Sequence, residues 1–177
     1  ASAIGFYGTK TTDEIFNESH IAGNDFLSYV SQNWEQQAMQ FQNKGIRTVV
    51  LRTAVVLSKN RGVLAKMLLP AKLGLNAPIG SGKQFLPWIH IEDLCRLYLY
   101  SIENDINGIY NAVSSEHKTN AEFSKEISKT LDKPFFMPKI PGIFMKLIFG
   151  EMSAIILNGS KISNTKIRQT GFNFKFD

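Results

Sequence analysis

One cysteine in 177 residues, Cys95, leaves no partner for an intrachain disulfide and fits a reducing, cytoplasmic compartment. No apolar run approaches the ~18–20 residues that a membrane-spanning helix needs. No G-x-G-x-x-G occurs, so the glycine-rich strand-to-helix turn whose amides receive a pyrophosphate is absent. Gly80-Ser81-Gly82 follows a loop and precedes a strand, so it offers no helix N-terminus and reads as a turn. His20 and His117 lie in loops with no partner at motif spacing, and no metal-ligand constellation is present. Charge of one sign is not concentrated either. The net +5 is zero over residues 1–60, +3 over 61–100 and +2 over 101–177. A nucleic-acid surface needs a dense basic stripe with interleaved aromatics. The scattered Arg61, Lys66, Lys72, Lys83 and Arg96 make nucleic-acid binding the least favoured use, behind a solvated surface or a site for an anionic cofactor or substrate.

What is present is the composition of a globular protein, 44% apolar and 20% charged. Residues 1–8, ASAIGFYG, read as the end of a buried strand leaving through a glycine turn, and 9–23 as a long polar loop. From Asn24 to Lys44, Phe26, Leu27, Val30, Trp34, Ala38 and Phe41 recur at helical spacing before the stop at Gly45. Residues 48–57, TVVLRTAVVL, are almost unbroken apolar and β-branched, as a parallel strand covered on both faces requires. Leu64, Met67, Leu68 and Ala71 predict a helix that Pro70 kinks or ends. The segment Ile91–Ile102 predicts another, with Leu94, Cys95, Tyr98 and Ile102 inward. A short strand follows at 108–113, then a helix opened by a capping box at Thr119 and Glu122, with Phe123, Ile127 and Leu131 on its apolar face.

The stretch at 78–93, PIGSGKQFLPWIHIED, combines a glycine-bracketed turn, a strand to Trp88 and Ile89, and a helix start at His90, Glu92 and Asp93. Such a junction can hold side chains over a ligand bound elsewhere in the fold. After Pro134 the composition changes: apolar segments at 140–149 and 152–157 precede an aromatic FNFKF expected as a strand. Alternating strands and helices argue an α/β fold with a parallel sheet. A unit at 1–134 would carry the sheet, and 135–177 a small, mostly helical subdomain.

Taken in order, SAIGFYG, WEQQA, VVLRTAVVL, LGLNAPIGSGKQFLPWIHIEDL, GIYNAVSSEHKTNAEFSKEI, and GEMSAIILNGSKI with TGFNFKF resemble the epimerase-like branch of the extended short-chain dehydrogenase/reductases, often labelled nucleoside-diphosphate-sugar epimerases. The resemblance implies the second half of a Rossmann-like, doubly wound NAD(P)-binding domain followed by a substrate-side C-terminal subdomain. It also implies that an N-terminal half of the same protein completes the fold, and that without it sheet edges and apolar faces stay uncovered.

Members of that superfamily use a Ser or Thr, a Tyr and a Lys, the last two spaced i, i+4 on one helix face, to move a proton at a substrate hydroxyl. Aligned on Tyr7-Gly8, the Ser position falls on Ala3, beside Ser2. Aligned on Glu35, the Tyr and Lys positions fall on Leu27 and Ser31, and Tyr29 is followed four residues later by Asn33. The usual proton relay is therefore missing.

His90 is the candidate proton donor, with an ordered water as the alternative; a purely structural role, orienting the turn after it, competes. Asp93 is expected to cap the helix or hold His90. Lys83 and Gln84 would meet an anionic substrate or form a solvated turn, and Trp88 would stack on a planar ligand or pack against the C-terminal segment. Trp34 and Glu35 read as core packing beside a surface or capping carboxylate. By resemblance, Ser2, Ala3, Arg52, Thr53, Val55 and Val56 line the cofactor crevice at the carboxyl ends of the strands. The same resemblance implies NADP slightly favoured over NAD, and a small or nucleotide-linked substrate. A non-catalytic dinucleotide sensor or scaffold is the competing function.

Overall fold

The computed structural model describes residues 1–177. Its centre is the β-branched run, which is not one strand but two. β3 (Val49–Thr53) lies between β1 (Ser2–Ala3) and β6 (Gly108–Ala112), all parallel, with Ser2 opposite Arg52 and Val49 to Thr53 opposite Gly108 to Ala112. At Ala54 the chain changes sheets. The Ala54 N–H still donates to the Ala112 carbonyl, whereas the Val55 N–H donates to Pro87, and β4 (Val55–Leu57) then pairs with β5 (Trp88–His90). Continuous apolarity revealed the burial but not this switch of partner.

Between β1 and β3 runs α1 (Phe26–Met39), started by Asp25, whose carboxylate accepts from the Ser28 N–H at 2.9 Å. Its buried face is Ser28, Ser31 and Glu35, while Phe26, Tyr29, Trp34 and Phe41 are exposed on or beside it. The expected packing of Trp34 in the core, with Glu35 outside, is thus reversed. The physical reason is that Glu35 has a buried cation to meet, and nothing in this chain covers Trp34.

α2 (Gly62–Lys72) contains Pro70 and ends two residues after it. It packs with α4 (Asn120–Thr130) around Leu57, Phe123, Ile127 and the partly buried Trp88. α4 carries the expected capping box, Thr119 and Glu122 bonding reciprocally. α3 (Ile91–Glu103) buries Asp93, Leu94, Leu97 and Ser101, and leaves Cys95, Tyr98 and Ile102 exposed. The inward face is rotated from the predicted one because the C-terminal tail, a polar and aromatic partner, lies against the Asp93 side.

That tail is not a strand. β7 (Lys161–Ile162) pairs with β2 (Ile15–Phe16), α7 (Thr165–Gln169) follows, and residues 171–177 run on without strand partners. Asp93 replaces the missing ladder: it accepts from the N–H groups of Lys175 (2.9 Å) and Phe176 (2.7 Å). Ile162, Ile167 and Phe172 join the same core as Tyr7, Leu51 and Tyr110, so residues 160–177 are continuous with the sheet. Of the intervening α5 (Gly142–Phe149) and α6 (Ser153–Leu157), α5 buries no residue and α6 buries only Ser153. No helix is long and apolar enough to cross a membrane.

Candidate active site

A cavity of about 340 Å³ opens where β1 and β3 end, the position at which open parallel sheets bind ligands. Ala3, Thr53, Ala54 and Val55 border it on the sheet side, and Leu27, Val30, Ser31 and Trp34 of α1 form one wall. The opposite wall is Phe85, Leu86 and Pro87, together with Ile155, Asn158 and Ser160. Two glycines set its shape. A Cβ at Gly159 would lie 2.0 Å from the Phe85 carbonyl oxygen, and one at Gly23 would lie 2.5 Å from Ser28 Oγ and 2.8 Å from Gly8 Cα. Neither position accommodates a side chain without moving the segment beside the cavity.

No Asp, Glu, His, Lys, Arg or Cys lines this cavity. Tyr7 alone among its residues can titrate, and its hydroxyl is engaged, donating to Asn111 Oδ1 (2.8 Å) and accepting from Arg52 Nη1 (2.9 Å). Burial pushes the Tyr7 hydroxyl above its usual range, only partly opposed by Arg52. The chemistry-bearing charges lie instead behind β3. Arg52 meets Glu35 in a two-pronged ion pair (2.8 and 2.7 Å), Ser2 Oγ donates to the same carboxylate at 2.7 Å, and the guanidinium sits 3.3 Å from the Phe6 ring centroid. Burial alone would lower the Arg52 pKa, but its bonds to Glu35 and Tyr7 more than offset that and raise it.

Among the predicted cofactor residues, Ala3, Thr53 and Val55 are brought together at the cavity. Ser2 and Arg52 point their polar groups into the buried network, and Val56 packs against the main core. The N–H groups of Ala54 and Val55 are engaged with Ala112 and Pro87, so those two donors are not available to a carboxamide.

Among the substrate-side residues, Gln84 is 2% exposed, with its amide donating to the Ile79 and Ile156 carbonyls and accepting from Ser81. Lys83 is on the surface. Trp88 packs with the α2–α4 cluster, its Nε1 buried without a partner. His90 caps α3, its Nδ1 accepting from the Glu92 N–H, and its ring lies 3.8 Å from that of Phe176. Asp93 does not hold His90. It is fully buried and bonded to Lys175, Phe176 and Arg96. Sequence reasoning missed the Glu35–Arg52 pair, although a lone Glu on the helix and a lone Arg within an apolar strand were a signal of mutual burial. No group of three or more potential metal ligands occurs.

A larger hollow of about 510 Å³, bordered by Asn17, Glu18, Ser19, Ser163 and Lys166, is lined by no hydrophobic residue.

Residues 26–112 match the profile of the NAD dependent epimerase/dehydratase family, and residues 140–177 match a domain of unknown function, DUF1731. Over 99% of this chain, the epimerase family protein SDR39U1 of Mus musculus is 37% identical. The chain belongs to the epimerase family. The epimerase family protein YfhF of Bacillus subtilis is 34% identical over 99% of the chain. The crystal structure of human epimerase family protein SDR39U1 (isoform 2), solved with NADPH, superposes on 99% of this chain with a TM-score of 0.90 at 34% identity. The chain spans about 60% of the length of these relatives (60%, 58% and 59%). Leu27 and Ser31, the positions to which the resemblance carries the superfamily's Tyr and Lys, both stand in the cavity wall.

Proposed function

We propose that the protein binds NADP(H) at this cavity and carries out redox chemistry on a small molecule, as an oxidoreductase or isomerase of atypical active site. The observation that carries this reading is the cavity at the ends of β1 and β3, bordered by Ala3, Thr53 and Val55, in a chain that superposes closely on an NADPH-bound relative. The neutral, narrow sheet-side border suits the uncharged end of a nicotinamide. Nothing in the described residues suits the pyrophosphate, which supports the view that an N-terminal portion of the protein completes the site. The exposed Phe26, Tyr29, Trp34 and Phe41 are consistent with a further segment covering α1.

When bound, the cofactor supplies hydride transfer. This chain's residues would supply apolar walls that exclude water, and the Ser31 hydroxyl. With no titratable side chain free in the cavity, the proton comes from an ordered water rather than from Tyr or Lys. His90, engaged through Nδ1 and stacked on Phe176, is better suited to holding the α3 start. A cytoplasmic setting agrees with the single, exposed Cys95.

The absent relay favours a second reading, a dinucleotide sensor without turnover. The two separate in one experiment on the full-length protein. NADPH binding, read from the fluorescence of the reduced nicotinamide, is expected in both. A substrate-dependent fall in NADPH absorbance is expected only for the enzyme. Absence of any NADPH binding contradicts both.

A further inference from the structure

The cavity proposed to receive the nicotinamide has no charged lining residue, and this says what it can hold beside that ring. A nucleoside-diphosphate sugar carries two phosphate charges, and burying them without a cation is unfavourable by far more than the sugar's contacts return. Two cations nearby are already engaged, and Lys10, which follows the lining Thr9, is exposed and outside the lining. Arg52 is closed on Glu35, and Lys161 lies 3.2 Å from Asp13 and 4.7 Å from the ring centroid of Phe85, outside the lining.

Apolar side chains dominate the walls: Leu27, Val30 and Trp34 on one side, Phe85, Leu86 and Ile155 on the other. Among the lining hydroxyls, Tyr7, Thr9, Thr53 and Ser160 each donate within the chain, to Asn111, Asp25, the Leu51 carbonyl and the Lys10 carbonyl respectively. Ser31, 3% exposed, makes no side-chain hydrogen bond at all.

Resting on the functional reading above, we infer that the substrate site takes a neutral, largely apolar carbonyl compound or the corresponding alcohol, not a nucleotide-linked sugar, and that the Ser31 hydroxyl donates to its oxygen. One free donor in an apolar slot fixes one polar atom and leaves the rest of the ligand to hydrophobic burial.

The test is calorimetric titration of the full-length protein with 2-decalone and, separately, with UDP-glucose, each with and without NADPH. Tryptophan emission, assigned to Trp34 by comparison with a Trp34→Phe variant, provides an independent reading of cavity occupancy. Saturable decalone binding that changes Trp34 emission is expected, with no saturable UDP-glucose binding. Ser31→Ala is expected to weaken decalone binding about three- to tenfold, the worth of one hydrogen bond. Leu27→Asp, which sets a charge into the wall, should abolish it. UDP-glucose competing with decalone, or decalone failing to bind the wild-type protein, overturns the inference. Unchanged decalone affinity in Ser31→Ala removes the serine from it. Loss of NADPH binding with decalone binding intact overturns the functional reading and leaves the substrate class standing.

Discussion

Arg52 and Thr53 are neighbours on β3, yet they belong to two different environments. Arg52 turns into a buried knot of charge with Glu35, Ser2 and Tyr7, while Thr53 borders a cavity that holds no free charge. The same division runs along α1, where Glu35 joins the knot and Leu27 and Ser31 face the cavity. In a strand, successive side chains point to opposite faces, so one residue of register separates structure from chemistry. The difference teaches that this chain uses its strongest ionisable groups to tie β1, α1 and β3 together, and leaves the cavity without a free charge.

The comparison breaks most visibly at Glu35. Glu35→Ala strands a buried guanidinium and should cost about 3–5 kcal/mol in chemical denaturation. Replacing both members, Glu35→Leu with Arg52→Met, should recover most or all of that loss, because a buried ion pair and a well-packed apolar pair are close in energy. A double variant as unstable as the single one would show that the knot contributes through something other than charge pairing.

Next in size is Asp93, which fastens the tail to α3. Asp93→Asn removes charge from an acceptor of two backbone N–H groups and should cost about 2–3 kcal/mol. The amides of Lys175 and Phe176 should then exchange hydrogen much faster, while those of β3 change in proportion to global stability alone. Equal acceleration everywhere would mean that the tail is not separately held.

Asp25 caps α1 at the rim of the cavity. Burial raises its pKa, but bonds from the N–H and hydroxyl groups of Ser28 and Thr9 more than offset this and bring it to about 2 from 3.8. Because the folded value is the lower one, the carboxylate's stabilising contribution is complete above pH ~4 and is lost as pH falls through about 2. Asp25→Ala should therefore cost about 1 kcal/mol near neutral pH, and the gap from wild type should close in acid. A gap that stays constant below pH ~2 would deny the linkage.

The smallest effect sharpens the contrast. Ser31→Ala lies on the cavity side and should move stability by less than about 0.5 kcal/mol, since it breaks no hydrogen bond within the chain. A large loss would make Ser31 part of the scaffold.

Much of the scaffold was legible before any coordinates. The capping box at Thr119, the strand at 108–112 and the junction at Trp88–Ile91 follow from local chemistry, and local chemistry is what a sequence displays. Elsewhere, what mattered was the identity of a distant partner. Ala54 marks a change of sheet only because Pro87 stands ready to accept the next N–H. The FNFKF segment alternates like a strand but pairs with a carboxylate instead of a ladder. Apolar spacing on α1 pointed to Trp34, which is exposed, because periodicity finds an apolar surface without saying what covers it.

The site was legible in the same uneven way. Family resemblance set Ala3, Thr53 and Val55 along one crevice and the proton-relay positions at Leu27 and Ser31, and the structure gathers all five around one cavity. That Gln84 and Asp93 would be buried structural bridges was not readable, since each looks like a surface polar residue until its long-range partner is known.

A crystal structure of the full-length protein with NADPH bound tests the site most directly. The nicotinamide ring should lie against Ala3, Thr53 and Val55, with Leu27 and Ser31 across the cavity and no Tyr, Lys or His side chain within hydrogen-bonding reach of the reactive carbon's substrate position. A nicotinamide bound elsewhere, or a titratable side chain from any part of the protein reaching into that cavity, would contradict it.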